Sequence, residues 1–353
     1  MSDFFRIFAE YYSYMNAFQH IPKLKELLET SERIVILSHY NPDGDAIGSC
    51  VAWYDYLQGL GKNSQIVLPN DLPQNLKWLK GSETLMVANQ NKEKAEALII
   101  DADLIICNDF QSLSRVDKLE EIVRKSKATK VLIDHHVDPE VEAFDLIFSN
   151  VNSSSTAELT YELIIRLTPE KPVSETIAEA IYVGIMTDTG SFSFSCGHKR
   201  TFEVVAELID SGIDTCKIHQ IVYNTFSEDR MRLLGHCLTS RLTVLPELST
   251  AYMYLTQEDL RKFRYIPGDA EGIANYALSI KGIKFAAFFT ERETRIRISF
   301  RSKGDIDCNE FAKTHFSGGG HRNASGGNGF DTMQETIQKF EKLLPEFKQK
   351  NNF

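Results

Sequence analysis

The stretch Ile34-Val35-Ile36-Leu37-Ser38-His39-Tyr40-Asn41-Pro42-Asp43-Gly44-Asp45-Ala46-Ile47-Gly48 decides how the chain is read. Ile34 to Leu37 is apolar at every position and rich in β-branched side chains. A strand apolar on both faces must be covered on both, as in a parallel sheet layered between helices. A helical pattern follows from Gly48 to Leu60. Between strand and helix, Pro42 and Gly44 tighten a turn that carries His39, Asp43 and Asp45. Ligands of open α/β sheets bind beyond the carboxyl ends of the strands, so polar side chains gathered there are candidates for chemistry. Taken alone, this H-x3-D-x-D set would serve equally well as an Asx-rich turn capping a helix.

Outward from this stretch the pattern recurs. Leu104 to Cys107 is another short apolar run and leads into Asn108-Asp109; Val131 to Ile133 leads into Asp134-His135-His136. Lys118 to Lys127, Thr156 to Leu167 and Glu175 to Met186 have helical patterns, the last running into Thr187-Asp188-Thr189-Gly190. Alternating strand and helix predict an α/β sandwich. Individually, Asp109 reads as a helix cap and Asp188 as part of a C-terminal turn closed by Gly190. Collectively they read otherwise. Asp43, Asp45, Asp109, Asp134 and Asp188 crowded at one sheet edge would repel one another unless cations lay among them. Carboxylates with imidazoles suit Mn²⁺, Fe²⁺ or Zn²⁺ better than Ca²⁺.

The second half changes character. Lys199 to Thr239 reads as helical, and Phe285 to Thr290 with Thr294 to Arg301 as a β-hairpin turning at Glu291-Arg292-Glu293. In the second of these strands Arg295, Arg297 and Arg301 share one face and Ile296, Ile298 and Phe300 the other. The arginine face points to phosphate, or else belongs to a solvated edge strand whose charges deter aggregation. Ser317-Gly318-Gly319-Gly320-His321 would bring backbone N–H groups and His321 onto a phosphate, and a last helix runs from about Met333 to Phe347. The expected organisation is residues 1–226 as a catalytic metal-binding domain, 227–245 as a connector and 246–353 as a smaller α/β substrate-binding domain. The first 30 residues read as amphipathic helix.

Here the residues resemble a known family. His39-x3-Asp43-x-Asp45, Asp109, Asp134-His135-His136 and Asp188 are similar to the four ordered motifs of the DHH phosphoesterases. Phe300-Arg301-Ser302 and Gly318-Gly319-Gly320-His321 are similar to the DHH-associated C-terminal domain. The resemblance spans roughly residues 20 to 345 and leans toward the bacterial oligoribonuclease/pAp phosphatase (nanoRNase) branch. It implies a parallel-sheet DHH domain, a smaller α/β domain and an active site in the cleft between them. It implies two Mn²⁺ ions, with Mg²⁺ or another divalent ion as substitute. His39 and Asp43 would hold the first, Asp45, His135 and Asp188 the second, and Asp109 both. His136 would meet the substrate phosphate as an imidazolium, Asp134 would orient its neighbouring histidines, and Arg301, Gly318, Gly319, Gly320 and His321 would bind substrate. A homodimer is a further implication.

Composition narrows the substrate. Lys plus Arg number 39 and Asp plus Glu 49, a net charge of −10 over 353 residues. Such a field repels long polyanions, which favours short RNA oligonucleotides, pAp or linear dinucleotides. The six cysteines form no CxxC pair, and scattered thiols fit a reducing cytoplasm. Residues 1–16 lack the features of a signal peptide, and no apolar run is long enough for a membrane span. Three other readings stand beside this one: a single-stranded DNA exonuclease, a pyrophosphatase or exopolyphosphatase of the same superfamily, and a non-catalytic nucleotide- or RNA-binding module.

Overall fold

The structure, a computed structural model, describes residues 18–194 and 196–353. The part of the expected N-terminal helix before Phe18 lies outside them; the remainder forms helix α1 (Ile21–Thr30). The chain divides into two compact units, Met1–Thr225 and Phe226–Phe353.

The first unit is built on a six-stranded sheet: β1 (Arg33–Ser38), β2 (Asn63–Leu68), β3 (Met86–Val87), β4 (Leu104–Asn108), β5 (Thr129–Asp134) and β6 (Leu146–Ser149). The order is β3-β2-β1-β4-β5-β6 and every pairing is parallel. Alternation along β1 explains its unbroken apolar run. Ile34 and Ile36 enter one core with Ile47, Cys50 and Trp53, while Val35 and Leu37 enter a second with Ala95, Ile99 and Val123. The first core is closed by α2 (Gly44–Gly59), α5 (Thr156–Leu167), α6 (Glu175–Asp188) and α7 (Lys199–Asp210); the second by α3 (Lys92–Asp101) and α4 (Glu120–Lys125). Strand order reverses between β1 and β4, the position at which open sheets of this kind leave a crevice.

Two glycines let α6 approach α2 and α5. A Cβ on Gly48 would lie 2.3 Å from the Ala180 carbonyl oxygen. One on Gly184 would lie 2.3 Å from Ala157 Cβ and 3.0 Å from Asp45 Oδ1. Helices packed this closely carry their polar residues to the sheet's carboxyl edge.

The second unit has its own six-stranded sheet, ordered β11-β12-β10-β9-β8-β7: β7 (Leu242–Leu245), β8 (Thr250–Leu255), β9 (Phe285–Glu291), β10 (Ile296–Ser302), β11 (Gly319–Gly320) and β12 (Ala324–Gly329). Only the β8–β9 pairing is parallel. Residues 227–245, the expected connector, hold helix Glu228–Ser240 and strand β7. Leu233, Leu234 and Cys237 draw that helix into this unit's core beside Met253 and Phe288. The opposite face packs Phe285, Phe289, Phe300, Phe311, Phe316, Phe340 and Phe347. The final helix extends to Asn351.

The expected hairpin is present with its turn one or two residues later, since Ile296 pairs with Glu291 and Arg292 N–H donates to the Arg295 carbonyl (2.8 Å). Ile296, Ile298 and Phe300 are buried, Arg297 is exposed and Arg301 half-buried. β10 is no edge strand: β9 flanks it on one side and β12 on the other. Protection of a free edge is therefore not what its arginines do.

Candidate metal centre

Four chain segments deliver the expected residues of the first unit to one place. His39 leaves the end of β1, buried, with Nδ1 3.0 Å from the Tyr40 carbonyl. Asp43 caps α2, its Oδ1 accepting the N–H groups of Asp45 and Ala46 at 3.1 Å. Asp109 follows β4 in the left-handed region (φ +63°), an uncommon conformation that an aspartate tolerates better than most residues. Its own N–H donates to the Ile133 carbonyl (3.0 Å), which locks the turn to β5. Asp134 ends β5, and Asp188 sits in the last turn of α6.

The donor atoms converge. One atom each from His39, Asp43 and Asp109 lie within 4.8 Å of one another; so do those of Asp45, Asp109 and His135, and those of Asp109, Asp134 and His136. Asp109 belongs to all three groups. Its two oxygens divide: Oδ2 lies 3.4 Å from His39 Nε2, and Oδ1 lies 3.8 Å from His135 Nε2 and from His136 Nδ1. Asp188 reaches the second group through His135, whose Nε2 is 3.5 Å from Asp188 Oδ2 and 3.7 Å from Asp45 Oδ2. Asp134 orients His136: its Oδ1 accepts the Nδ1–H at 2.7 Å.

Electrostatics decides what fits here. Burial pushes Asp45 up to about 7, with Asp43 adding repulsion. Burial followed by the charges of Asp45, Asp43, Asp188 and Asp134 drives Asp109 well above the usual carboxylate range. Burial lifts Asp134 to about 6. Among the described residues, the ion-pair partners of Asp45, Asp109 and Asp134 are histidines. Burial also holds His39, His135 and His136 below their ordinary range, so these rings do not supply positive charge. The site is thus rich in carboxylates, largely buried, and short of cations. Hard oxygen donors and neutral imidazoles in that state suit divalent metal ions. The imidazolium expected at His136 is disfavoured, because burial, His135, Arg115 and His39 all oppose its protonation.

Sequence reasoning passed over residues that contact this centre. Thr156 opens α5 and is fully buried; its Oγ1 donates to Asp109 Oδ1 (3.0 Å), and its N–H with that of Ala157 donates to Asp45 (2.7 Å each). Ser153 offers its carbonyl 3.3 Å from His135 Nδ1. The signal available was Ser155-Thr156-Ala157-Glu158, a helix start whose first amide groups need acceptors. Arg115 was also missed: its carbonyl accepts the Tyr40 N–H (2.8 Å), beside His39.

The remaining expected residues belong to the second unit. Arg301 pairs with Ala324 across β10 and β12, and His321 N–H donates to the Ala324 carbonyl (2.8 Å), so both flank one residue at one end of that sheet. Gly319 and Gly320 form a short strand rather than an open loop. The N–H of Gly318 is used internally, donating to Ala312 (3.2 Å). A Cβ on Gly318 would lie 2.0 Å from the Gly326 carbonyl oxygen, and one on Gly320 (φ +145°) 2.7 Å from that of Ala324. These glycines admit the β12 backbone.

Comparison with known proteins agrees with this layout. The family model "DHH family, N-terminal domain" matches residues 33–185 and the "DHHA1 domain" matches 248–350. The bifunctional oligoribonuclease and PAP phosphatase NrnA of Bacillus subtilis is 27% identical over 89% of this chain and 96% of the relative. The crystal structure of an exopolyphosphatase-related protein from Bacteroides fragilis superposes with a TM-score of 0.89 at 40% identity, covering 95% of this chain and 98% of that one. RecJ from Thermus thermophilus, solved with Mn²⁺, shares the fold: TM-score 0.53 at 14% identity, over 94% of this chain and 54% of RecJ.

Proposed function

The chain belongs to the DHH family of phosphoesterases, and from that premise we propose that it hydrolyses short oligoribonucleotides to mononucleotides, pAp to AMP, or both, with the aid of two manganese ions. The observation that carries this reading is the position of Asp109, whose two oxygens face different donor groups. His39, Asp43 and Asp109 Oδ2 would hold one ion; Asp45, His135, Asp188 and Asp109 Oδ1 the other. Bound there, the pair would lower the pKa of a water and neutralise the phosphoryl oxygens as the transition state forms.

The chain's own residues do the rest. Asp109 sets the spacing between the two donor groups. Asp134 holds His136 in one orientation, so that the ring meets the phosphate without searching. The crowding of carboxylates makes this centre unfavourable to a phosphate until cations are in place. In the second unit Arg301 and His321, adjacent at Ala324, take a phosphate of the substrate. A cytoplasmic setting fits the cysteines, of which Cys50, Cys107, Cys237 and Cys308 are buried thiols. No helix among the described residues is long and apolar enough to cross a membrane.

A second reading, hydrolysis of polyphosphate or pyrophosphate, draws support from the Bacteroides fragilis relative, an exopolyphosphatase-related protein. The deciding experiment offers the purified chain, with Mn²⁺, four substrates side by side: pAp, a linear di-adenylate, pyrophosphate and long single-stranded DNA. Highest kcat/KM on pAp or the di-adenylate is the expected result. Preference for pyrophosphate overturns the nucleotide assignment, and preference for the long strand turns the reading to an exonuclease. No turnover of any of the four leaves only a binding role.

A further inference from the structure

Asp45 lies in the first turn of α2, Asp109 follows β4 and His135 follows β5, yet one short segment, residues 153–157, touches all of them. Ser153 presents its carbonyl to His135 Nδ1 (3.3 Å). The Thr156 N–H donates to Asp45 Oδ2 and the Ala157 N–H to Asp45 Oδ1, each at 2.7 Å. Thr156 Oγ1 donates to Asp109 Oδ1 at 3.0 Å. The segment is itself held rigid: Ser155 Oγ accepts the Glu158 N–H (3.0 Å), Ser153 Oγ donates to the Ser155 carbonyl (2.9 Å), and Thr201 Oγ1 ties Glu158 down (2.8 Å). Thr156 is fully buried, so bulk solvent does not reach its hydroxyl contact.

The hydroxyl chooses between the two oxygens of Asp109. It meets Oδ1, the oxygen that faces His135, and not Oδ2, the oxygen that faces His39. His39 and Asp43 are supported elsewhere, by the Tyr40 carbonyl and by the capping bonds of α2. A buried carboxylate with one oxygen tethered keeps its plane, and the tether fixes the direction of the remaining lone pairs. Resting on the two-ion reading above, we infer that Thr156 is a positioning residue for the ion held by Asp45, Asp109 and His135, and sets the affinity of that site apart from the one at His39 and Asp43.

Calorimetric titration of the full chain with Mn²⁺ tests this, with thermal melting in EDTA as a control for folding. The wild type is expected to bind two ions. Thr156→Val, which keeps the shape and removes the hydroxyl, should weaken one binding event by about 10–100-fold and leave the other within about twofold. Thr156→Ser should restore the wild-type isotherm. Where Thr156→Val fails to melt cooperatively, Thr156→Ala read against Thr156→Ser gives the same contrast. Unchanged affinities in the hydroxyl-free variants, an equal loss at both sites, or a serine variant no better than valine would overturn the assignment. A wild type that binds a single ion overturns the two-ion reading itself, and is told apart because the failure shows before any variant is made.

Discussion

At the carboxyl edge of the first sheet the side chains that matter are buried and touch one another; at the glycine-rich edge of the second they are half-exposed, and what is buried is backbone. His39, Asp45, Asp109, Asp134 and His135 are each at most 6% exposed, whereas Arg301 and His321 are only partly covered. The first edge stores unfavourable electrostatics: burial and mutual repulsion push Asp45 up to about 7 and Asp109 well above the usual carboxylate range. Such a site is made to be completed by cations. The second edge stores nothing comparable. Its glycines are fixed by close backbone approach, and its basic groups stay in reach of a charged ligand. Charge repulsion therefore marks the edge where the acids gather, and accessibility marks the edge that carries Arg301 and His321.

The largest expected effect sharpens this contrast. Asp109→Asn keeps a residue that tolerates the left-handed backbone and removes the charge. Single-turnover hydrolysis of pAp should fall by more than about 10³-fold, beyond the loss usual for one transition-state hydrogen-bond donor. Thermal melting in EDTA should show the variant at least as stable as the wild type, since one buried repulsive charge is gone. A less stable variant would break the claim of stored repulsion.

Next come Arg301→Ala and His321→Ala. Loss of a charge-assisted contact of about 1.5–3 kcal/mol corresponds to roughly 10–100-fold in kcat/KM for the nucleotide, with Mn²⁺ affinity unmoved in calorimetry. Changed metal affinity would erase the distinction between the two edges. Gly318→Ala should cost about 1–3 kcal/mol of stability through its 2.0 Å approach to the Gly326 carbonyl, read as a lower urea midpoint. A normal midpoint with raised KM would return the glycines to a ligand-binding role.

A pH effect follows from Asp45. Burial and Asp43 raise its folded-state value to about 7, so its contribution to metal-free stability is full below the unfolded carboxylate range, near 4. That contribution is lost as pH rises toward 7. The melting midpoint in EDTA should fall over this window, and the increment gained on adding Mn²⁺ should widen. An increment independent of pH would contradict it. The smallest effect belongs to Arg297→Ala. This exposed neighbour of Arg301 should change stability by no more than about 0.5 kcal/mol and leave KM nearly unchanged.

Much of the first edge was legible in the sequence because its signals are local. A continuous apolar run such as Ile34 to Leu37 followed at once by His39, Asp43 and Asp45 states both the strand and its active end. Thr156 was hidden because its importance lies in contacts with Asp45 and Asp109, more than forty positions away in the chain. In the second unit, Ala324-Ser325-Gly326-Gly327-Asn328-Gly329 has the composition of a loop and is a strand. There glycine is required by crowding: a Cβ on Gly327 would lie 2.9 Å from Phe316 Cβ, and one on Gly329 2.7 Å from Thr336. The helix Glu228–Ser240 was legible as a helix, but not its membership, which rests on Leu233 and Cys237 finding Met253 and Phe288.

Diffraction from crystals grown with excess Mn²⁺, collected at the manganese absorption edge, tests the central claim most directly. Two anomalous peaks are expected, one on each side of the Asp109 carboxylate, the first beside His39 and Asp43 and the second beside Asp45 and His135. A single peak, or peaks that leave Asp109 without an ion on either side, would contradict it.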